Sequence, residues 1–541
     1  MEQPCFNVHR LATRDGAESA VITEEERDKI SDRMLSSNTV SKTILDEPGR
    51  VKSTSTRAKS TRAVMSLTIG TVAGRGMRFV RSMILARILV SDQIGIMAIV
   101  MCFSVALETL TEVGVKQSVI QNKEGANPAY LNMAWWTQLV RGLSFFGIAF
   151  FVAPWIGSFY DKPQLVSLLR VAFLAIVFRA LVSPRAYVLE KEYKFGRAVF
   201  LMQGSVVLGT ILTVVLAFMM RNVWALVIGF VSEMAIMCLL SFILVPFRPR
   251  FEIDKKSLAE LMKFARGMFG LPVLTMLSLQ GPVLILGKVI PNSELGLYFY
   301  AATLALFPVD MYTKIISPVL LPAFSEKQDD NRNLCRRLLH TTQWTASFVL
   351  PLIAFMICCA PELLLFAFGG EYVAMVVPYA VLCLQVLLRN EAGVLTGMYL
   401  AVGRPNLQRR FALIRAVAIV GLLYPTALYF GTLGVAVLIV SCSIVVLSMQ
   451  AFVCRKVINL RLDRYVRCYV HGLLLALPII AVFDILWLLK IDNQVLVVAV
   501  GAFTFISTFA AGALILRHNK LRTAVIGTFS DRLKLHRLSE A

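Results

Sequence analysis

Apolar runs of about twenty residues, the length of a membrane-crossing helix, follow one another along this chain with little between them. They lie near 64–88, 93–115, 132–154, 164–184, 198–219 and 222–246, then near 267–287, 295–320, 338–361, 373–402, 410–430 and 432–453, and finally near 468–489 and 493–516. Inside hydrocarbon every backbone N–H and C=O must be paired within the protein, so such runs fold as helices. Composition agrees: 57% of the 541 residues are apolar and only 16% are charged, against roughly 25% charged in soluble domains. The expected fold is an all-α polytopic membrane protein with about 14 transmembrane helices.

Loop charge tests that count. With the N-terminus inside, six interior loops (about 116–130, 185–197, 248–266, 326–337, 403–410 and 454–467) carry 24 Lys/Arg, whereas the opposite loops carry four, Lys162, Arg221, Lys288 and Lys490. One missed span would invert every later loop and erase this asymmetry, so the positive-inside rule supports the count and places both termini in the cytoplasm. The net charge of +21 is largely this topological signal, and nucleic-acid binding is not needed to explain it.

The first 63 residues differ from the rest. They hold 11 Lys/Arg and 10 Asp/Glu without a periodic apolar run, too little apolar surface to offset the entropy of ordering. They read as a disordered cytoplasmic tail, and no apolar core near Met1 marks a signal peptide. The basic stretch Arg50, Lys52, Arg57, Lys59 and Arg62 suits a segment lying on anionic lipid; an ordinary positive flank to a membrane helix explains it equally. Residues 517–541 read as a second cytoplasmic tail.

Chemistry-bearing motifs are few. The ten cysteines include no Cys-x-x-Cys pair and the five histidines are scattered, so neither a metal nor a cofactor is expected. Gly281-Pro-Val-Leu-Ile-Leu-Gly287-Lys288-Val289 has one residue too many for a phosphate-binding loop, lacks its Ser/Thr and lies in a span, so no ATP site is read there. Gly70-x-x-x-Gly74 is a close-packing signal, and Trp135 and Trp136 suit the membrane interface. Loops of about twenty residues or fewer leave no room for the extramembrane catalytic domain of a membrane enzyme.

An internal repeat divides the spans. Ile84-Leu-Ala-Arg-Ile-Leu-Val-Ser-Asp-Gln-Ile-Gly-Ile96 recurs 201 residues later as Ile285-Leu-Gly-Lys-Val-Ile-Pro-Asn-Ser-Glu-Leu-Gly-Leu297, pairing Arg87 with Lys288 and Gly95 with Gly296. The same offset sets Glu108 beside Val309 and Asp310. Two six-helix lobes in the same orientation, 64–246 and 267–453 joined by a linker at 247–266, follow from this repeat, with helices at 468–516 appended. Such parallel lobes are related by a pseudo-two-fold axis along the membrane normal, an arrangement found in transporters.

The repeated turn, Pro184-Arg-Ala-Tyr-Val-Leu-Glu-Lys-Glu-Tyr-Lys-Phe195 after the fourth span and Tyr399-Leu-Ala-Val-Gly-Arg-Pro405 after the tenth resemble Wzx-type polysaccharide flippases. These belong to the multidrug/oligosaccharidyl-lipid/polysaccharide exporter superfamily. The resemblance spans about 64–516 and rests on helix-junction patterns. It implies lobes around a central cavity, two extra C-terminal helices, the bacterial inner membrane, and export of a lipid-linked oligosaccharide to a polysaccharide polymerase and co-polymerase.

Charges inside spans mark candidate site residues, because a charge at mid-membrane costs roughly 2.5–3.5 kcal/mol on insertion scales. Arg75, Arg78 and Arg81 cover about 120° of one face of the first span; Arg141, Arg170, Arg179 and Arg389 lie in later spans. Arginine suits a diphosphate, since its planar fork donates two charge-assisted bonds while staying protonated. Internal pairing is the competing reading, with Arg75 and Glu108 at similar depth. Glu108, with Glu112 one turn on, and Asp310 and Glu391 are candidate coupling carboxylates; Glu233 and Asp484 are the other acids in spans. The expected function is flipping of polyprenyl-diphosphate-linked oligosaccharide by alternating access, without catalysis. The alternative is an ion-coupled drug or small-solute antiporter on the same fold, which would need carboxylates for cationic cargo. Reporter fusions check the topology: those after residues 161 and 370 should report the outside, and those after 192, 330 and 460 the cytoplasm, while a cytoplasmic signal at 370 breaks the two-lobe count.

Overall fold

The computed structural model describes residues 70–111, 115–122, 124–192, 195–250, 254, 257–262, 271–325, 330–489 and 493–514, all within the compact unit that spans 63–541. The expected tails (1–63 and 517–541), parts of the 247–266 linker, and Glu112 lie outside them. Among the described residues all regular structure is helical.

The first lobe comprises α1 (70–88), α2 (Ser91–Thr111), α3 (Pro128–Phe159), α4 (Gln164–Leu181, bent at Phe173), α5 (Phe195–Met220) and α6 (Val223–Leu244). The second comprises α7 (Leu271–Val289), α8 (Asn292–Ser325), α9 (Asn331–Cys358), α10 (Val376–Ala401), and α11 and α12 within one run, Pro405–Ile458. Then come α13 (Leu462–Leu488) and α14 (Gln494–Leu514).

Twelve of the described helices are long and apolar enough to cross a membrane. The 54-residue run Pro405–Ile458 is one of these. At 1.5 Å per residue it would measure about 80 Å, far more than a bilayer core, but Gly431 breaks it with φ 57° and ψ −145°, a conformation open to glycine and costly for other residues. It therefore supplies two crossings, divided where the sequence divides its eleventh and twelfth runs. Helix α1 is kept out of the twelve by its arginines. The helices are thus consistent with fourteen crossings.

Segments expected as loops are partly helical. Val115–Gln121 and Arg185–Lys191 form short helices, and α9 begins at Asn331, where the Asp330 side chain accepts from the Arg332 and Asn333 N–H groups. The cause is local burial: Val115, Val119, Tyr130, Leu131, Val188 and Leu261 form an apolar cluster beneath the two short helices, and Leu334 and Leu338 anchor the start of α9 in another, both too sparse in sequence to register as a span.

Within the lobes α5 pairs with α6, α3 with α4, and α8 with α10, while α13 lies along α9. The seam between lobes is α2 against α7 and α8. There the repeat becomes physical. A Cβ on Gly95 would sit 1.9 Å from the Asn292 carbonyl oxygen, and one on Gly296 would sit 2.1 Å from that of Ser91. Ser91 and Asn292 are themselves repeat partners, so each lobe offers its glycine to the other's turn, as contacts about a two-fold axis must.

The same end of the molecule carries a reciprocal latch. Lys288 reaches Asp161 in the α3–α4 turn at 2.5 Å, and its repeat partner Arg87 donates to the Phe366 carbonyl after α9, also at 2.5 Å. Lys162 donates to the Gly287 carbonyl and the Asn292 side chain, and the Tyr160 hydroxyl donates to the Leu284 carbonyl. Burial pulls the Lys162 ammonium below the usual lysine range, with Asp92 and Asp161 opposing the shift.

The glycine crossing is open to test by substitution. Gly95→Val and Gly296→Val should each cost about 1–3 kcal/mol, the usual penalty of overpacking, and lower the melting temperature of the detergent-solubilised protein by similar amounts. Gly147→Ala, which meets nothing within 4 Å, should leave it unchanged or raise it. Unaltered melting of both valine variants would refute the tight crossing.

Candidate functional site

Helix α1 lies between the lobes because its own faces require it. Its small face packs on α5, where Cβ atoms on Gly70 and Gly74 would collide with Val199 and Gln203. On its arginine face, Arg78 Nη2 and Arg81 Nη1 each lie 2.7 Å from a different oxygen of Glu233. That carboxylate sits in mid-α6, 2% exposed, so both its oxygens are satisfied while the cluster keeps one positive charge.

Arg75 turns the other way. Its Nη1 lies 2.6 Å from Asp310 Oδ2 on α8, with both side chains part-exposed, and so ties α1 to the second lobe. The pairing of Arg75 with Glu108 allowed by the sequence is therefore not the one adopted. Glu108 pairs instead with Arg179 of α4. Equal depth restricts the possible partners, but the azimuth of each helix selects among them, and azimuth is set by packing.

Arg141 and Arg179 share a small cavity of about 130 Å³ with Lys116, Gln117, Gln138 and Tyr187 inside the first lobe. Arg170 joins none of these ion pairs. Its guanidinium stacks 4.3 Å from the Phe150 ring centre and its Nε donates to the Phe150 carbonyl. Arg389 lies at the middle of α10, within electrostatic reach of Asp310 and of Arg415 on α11.

Glu391, close to Arg389 in sequence, points elsewhere. It is 0% exposed, accepts a hydrogen bond from the Tyr465 hydroxyl at 3.3 Å, and has Tyr469 bonded to Tyr465 behind it; its Oε1 has no hydrogen-bond partner among the described residues.

One turn along α1 from Arg75, Phe79 lines a cavity of about 740 Å³ that opens between α1, α8, α9, α10 and α14, with Phe307, Tyr312, Trp344, Phe348 and Phe509 among its other walls. The Tyr312 hydroxyl bonds Thr345 in its wall. Charge in one compartment and aromatic surface in the next gives the seam an amphipathic interior. Among the described residues no cluster of three metal-ligating side chains occurs.

Two residues of this arrangement escape the candidate list drawn from the sequence. Glu233 was visible only as an acid in a span, and its two arginine partners lie about 150 positions away. Arg415 follows Arg409 and Arg410 and is easily absorbed into that basic helix end, although it stands a turn and a half deeper.

With this geometry in view, comparison with known proteins is specific. The family model described as "Polysaccharide biosynthesis protein" matches residues 84–377, more than half of the chain. The chain belongs to that family. Among curated relatives, the lipopolysaccharide biosynthesis protein WzxC of Escherichia coli (strain K12) is 23% identical over 376 residues, covering 68% of this chain and 75% of that protein. The succinoglycan biosynthesis transport protein ExoT of Rhizobium meliloti (strain 1021) is 23% identical over 347 residues, covering 64% and 70%. Among solved structures, the lipid II flippase MurJ in an inward closed conformation superposes with a TM-score of 0.70 at 14% identity, covering 84% of this chain and 99% of that one. An inward-facing multidrug resistance MATE transporter of the MOP superfamily gives 0.58 at 17%, covering 73% and 98%. These structural likenesses establish the shared transporter fold.

The Glu233 clamp yields an ordered set of effects. Glu233→Gln strands two arginines in the bilayer and should cost about 3–5 kcal/mol, the range for breaking a buried pair from one side. Arg81→Gln should destabilise more than Arg78→Gln, because Arg78 is 44% exposed and Arg81 16% and water screens the former. The Arg81→Gln/Glu233→Gln double variant should recover part of the loss in a double-mutant cycle on melting temperature. Strict additivity would show that the pair is not coupled.

Proposed function

We propose that this protein translocates a polyprenyl-diphosphate-linked oligosaccharide across the bacterial inner membrane by alternating access of its two lobes, serving exopolysaccharide or O-antigen assembly. One observation carries the reading: arginine outnumbers carboxylate within the spans of the first lobe, and its α1 arginines bridge both lobes on a helix that also lines an apolar cavity of about 740 Å³, large enough for part of a polyprenyl chain. A diphosphate leaving water needs donors that keep their charge in low dielectric, and guanidinium supplies them. The WzxC and ExoT likenesses and the MurJ-like fold agree with this class of cargo.

In this reading Arg75, Arg78, Arg81 and Arg141 meet the diphosphate as it passes, and the Arg75–Asp310 bridge, half open to water, exchanges its carboxylate for the substrate's phosphate. The latch built from Lys288, Asp161, Arg87 and Lys162 holds the outer end shut until the lobes rock. Two of the four basic residues on that side are thereby accounted for by closure, which supports placing both termini in the cytoplasm. Membrane lipid surrounds the fold, and a polysaccharide polymerase and co-polymerase receive the cargo outside.

Of the three candidate coupling carboxylates, Glu108 and Asp310 are engaged by arginine. Glu391, sealed without a cation, is the one whose charge must be cancelled by a proton or a bound cation, and so is the coupling group. The antiporter alternative is weakened between the lobes, where Glu108, Glu233 and Asp310 are each engaged by arginine.

Export measured in a strain lacking its own flippase tests the reading. Arg78→Ala should abolish polysaccharide output at normal abundance and insertion, and Arg78→Lys should restore only part of it, because a point charge cannot reproduce the bidentate fork. Normal output from alanine variants at all of Arg75, Arg78, Arg81 and Arg141 would overturn the cationic path. Uptake of a cationic dye by proteoliposomes holding the protein would favour the antiporter.

A further inference from the structure

The large apolar cavity is not uniform along its length. Helix α9 supplies one wall, and its lining residues run from His340 and Trp344 through Phe348, Leu352, Phe355 and Met356, about 24 Å along the axis. The far part is hydrocarbon throughout. The near part is mixed. Trp344 Nε1 donates to His340 Nε2 at 3.2 Å, the Tyr312 hydroxyl of α8 bonds Thr345, and Thr341 stands in the same wall. A polyprenyl chain needs only the far part, which leaves the indole and its polar neighbours without a role.

Trp344 is also misplaced for an ordinary membrane anchor. An interfacial indole sits among lipid headgroups, whereas Trp344 is half-buried and lines a cavity bounded by five helices. Its depth is informative. The Tyr312–Thr345 bond sets this level of α9 against α8, and Asp310 precedes Tyr312 by two residues on the same continuous helix, about 3 Å along its axis. The Arg75–Asp310 bridge and the Trp344 platform therefore stand at nearly one depth.

We infer that Trp344, braced by His340, with Tyr312 and Thr341 beside it, binds the first pyranose ring of the cargo, the sugar joined directly to the diphosphate. A pyranose presents a face of C–H groups and a rim of hydroxyls. The indole, large, apolar and rigid, takes the face. Hydroxyl and imidazole groups take the rim, and a few placed polar groups in an apolar pocket are what orient a ligand. The assignment rests on the function proposed above, and it names a specificity determinant for that cargo apart from the arginines.

Binding measured on the full chain in lipid nanodiscs decides the matter. The probes are farnesyl diphosphate and the same molecule carrying glucose or galactose on its outer phosphate. Wild type should bind at least one sugar-bearing probe fivefold or more tightly than the bare one. Trp344→Ala should lose that advantage and leave affinity for bare farnesyl diphosphate unchanged. Trp344→Phe, which keeps an aromatic face, should retain most of it, with a melting temperature close to wild type. Equal affinities of bare and sugar-bearing probes for wild type would overturn the platform. So would an undiminished sugar advantage in Trp344→Ala, or an equal weakening of all three probes, which would make Trp344 a contact for the chain or a support of the fold. The flippase reading falls on a different result, normal export by alanine variants at Arg75, Arg78, Arg81 and Arg141.

Discussion

A charge inside a bilayer must be answered by protein or water, and in this molecule the answers determine which helices are tied together. Helix α1 cannot sit against lipid with three arginines on one face. Glu233 holds two of them and fixes α1 to α6; Asp310 holds the third and fixes α1 to α8. The helix too charged to qualify as an ordinary span thus ties the lobes together beside the α2 seam. The Glu233 contacts are buried on the carboxylate side, while the Arg75–Asp310 contact is part-exposed on both sides. A pair in that position can be opened at lower cost than one sealed in the core, so the inter-lobe tie is the weaker of α1's two attachments.

The backbone supplies the complementary constraint. Gly95 and Gly296 let the turns before α2 and α8 approach closer than any side chain would permit, and Arg87 and Lys288 reach outward from the ends of α1 and α7 to close the same end. Each contact has its repeat-related counterpart, so motion of one lobe about this crossing is matched by the other. A pivot made of backbone contact, latched by a few exposed polar bonds, gives two lobes a common axis while leaving the latch separable. Bonds of that exposed kind contribute little apiece, which suits a closure that must open in each cycle.

Much of this was legible in the residues. Helical runs fall close to the expected spans, the break at Gly431 falls where one long run had to become two, and the 201-residue offset reappears as reciprocal contacts. Apolar periodicity and short-range turn chemistry carry that information, and both are local. Partner choice is not local. Arg75 and Glu108 share a depth, yet the rotation of α1, set by Gly70 and Gly74 against α5, turns Arg75 toward α8 and leaves Glu108 to Arg179. The helices at Val115–Gln121 and Arg185–Lys191 were hidden for a related reason: their burial comes from Tyr130 and Leu261, residues distant in the chain. Arg415 was masked by the basic pair a turn and a half before it.

The asymmetry of compensation bears on direction of transport. The two lobes share a repeated plan, but their charges do not repeat: Arg78, Arg81 and Arg179 rest on acids of the first lobe, whereas Arg75 crosses to Asp310 of the second. On the function proposed above, an anion that takes the place of Asp310 on Arg75 opens the tie between the lobes, while one at Arg78 and Arg81 must displace the buried Glu233. Binding energy that is realised only when both lobes surround the anion stabilises that occluded arrangement over either open one, and a ligand shifts a conformational equilibrium only through such a difference. On the function proposed above, Glu391 and Arg389 stand about half a turn apart on one helix, α10, so a change of charge at Glu391 acts on the cargo path through that helix, without contact between ion and substrate.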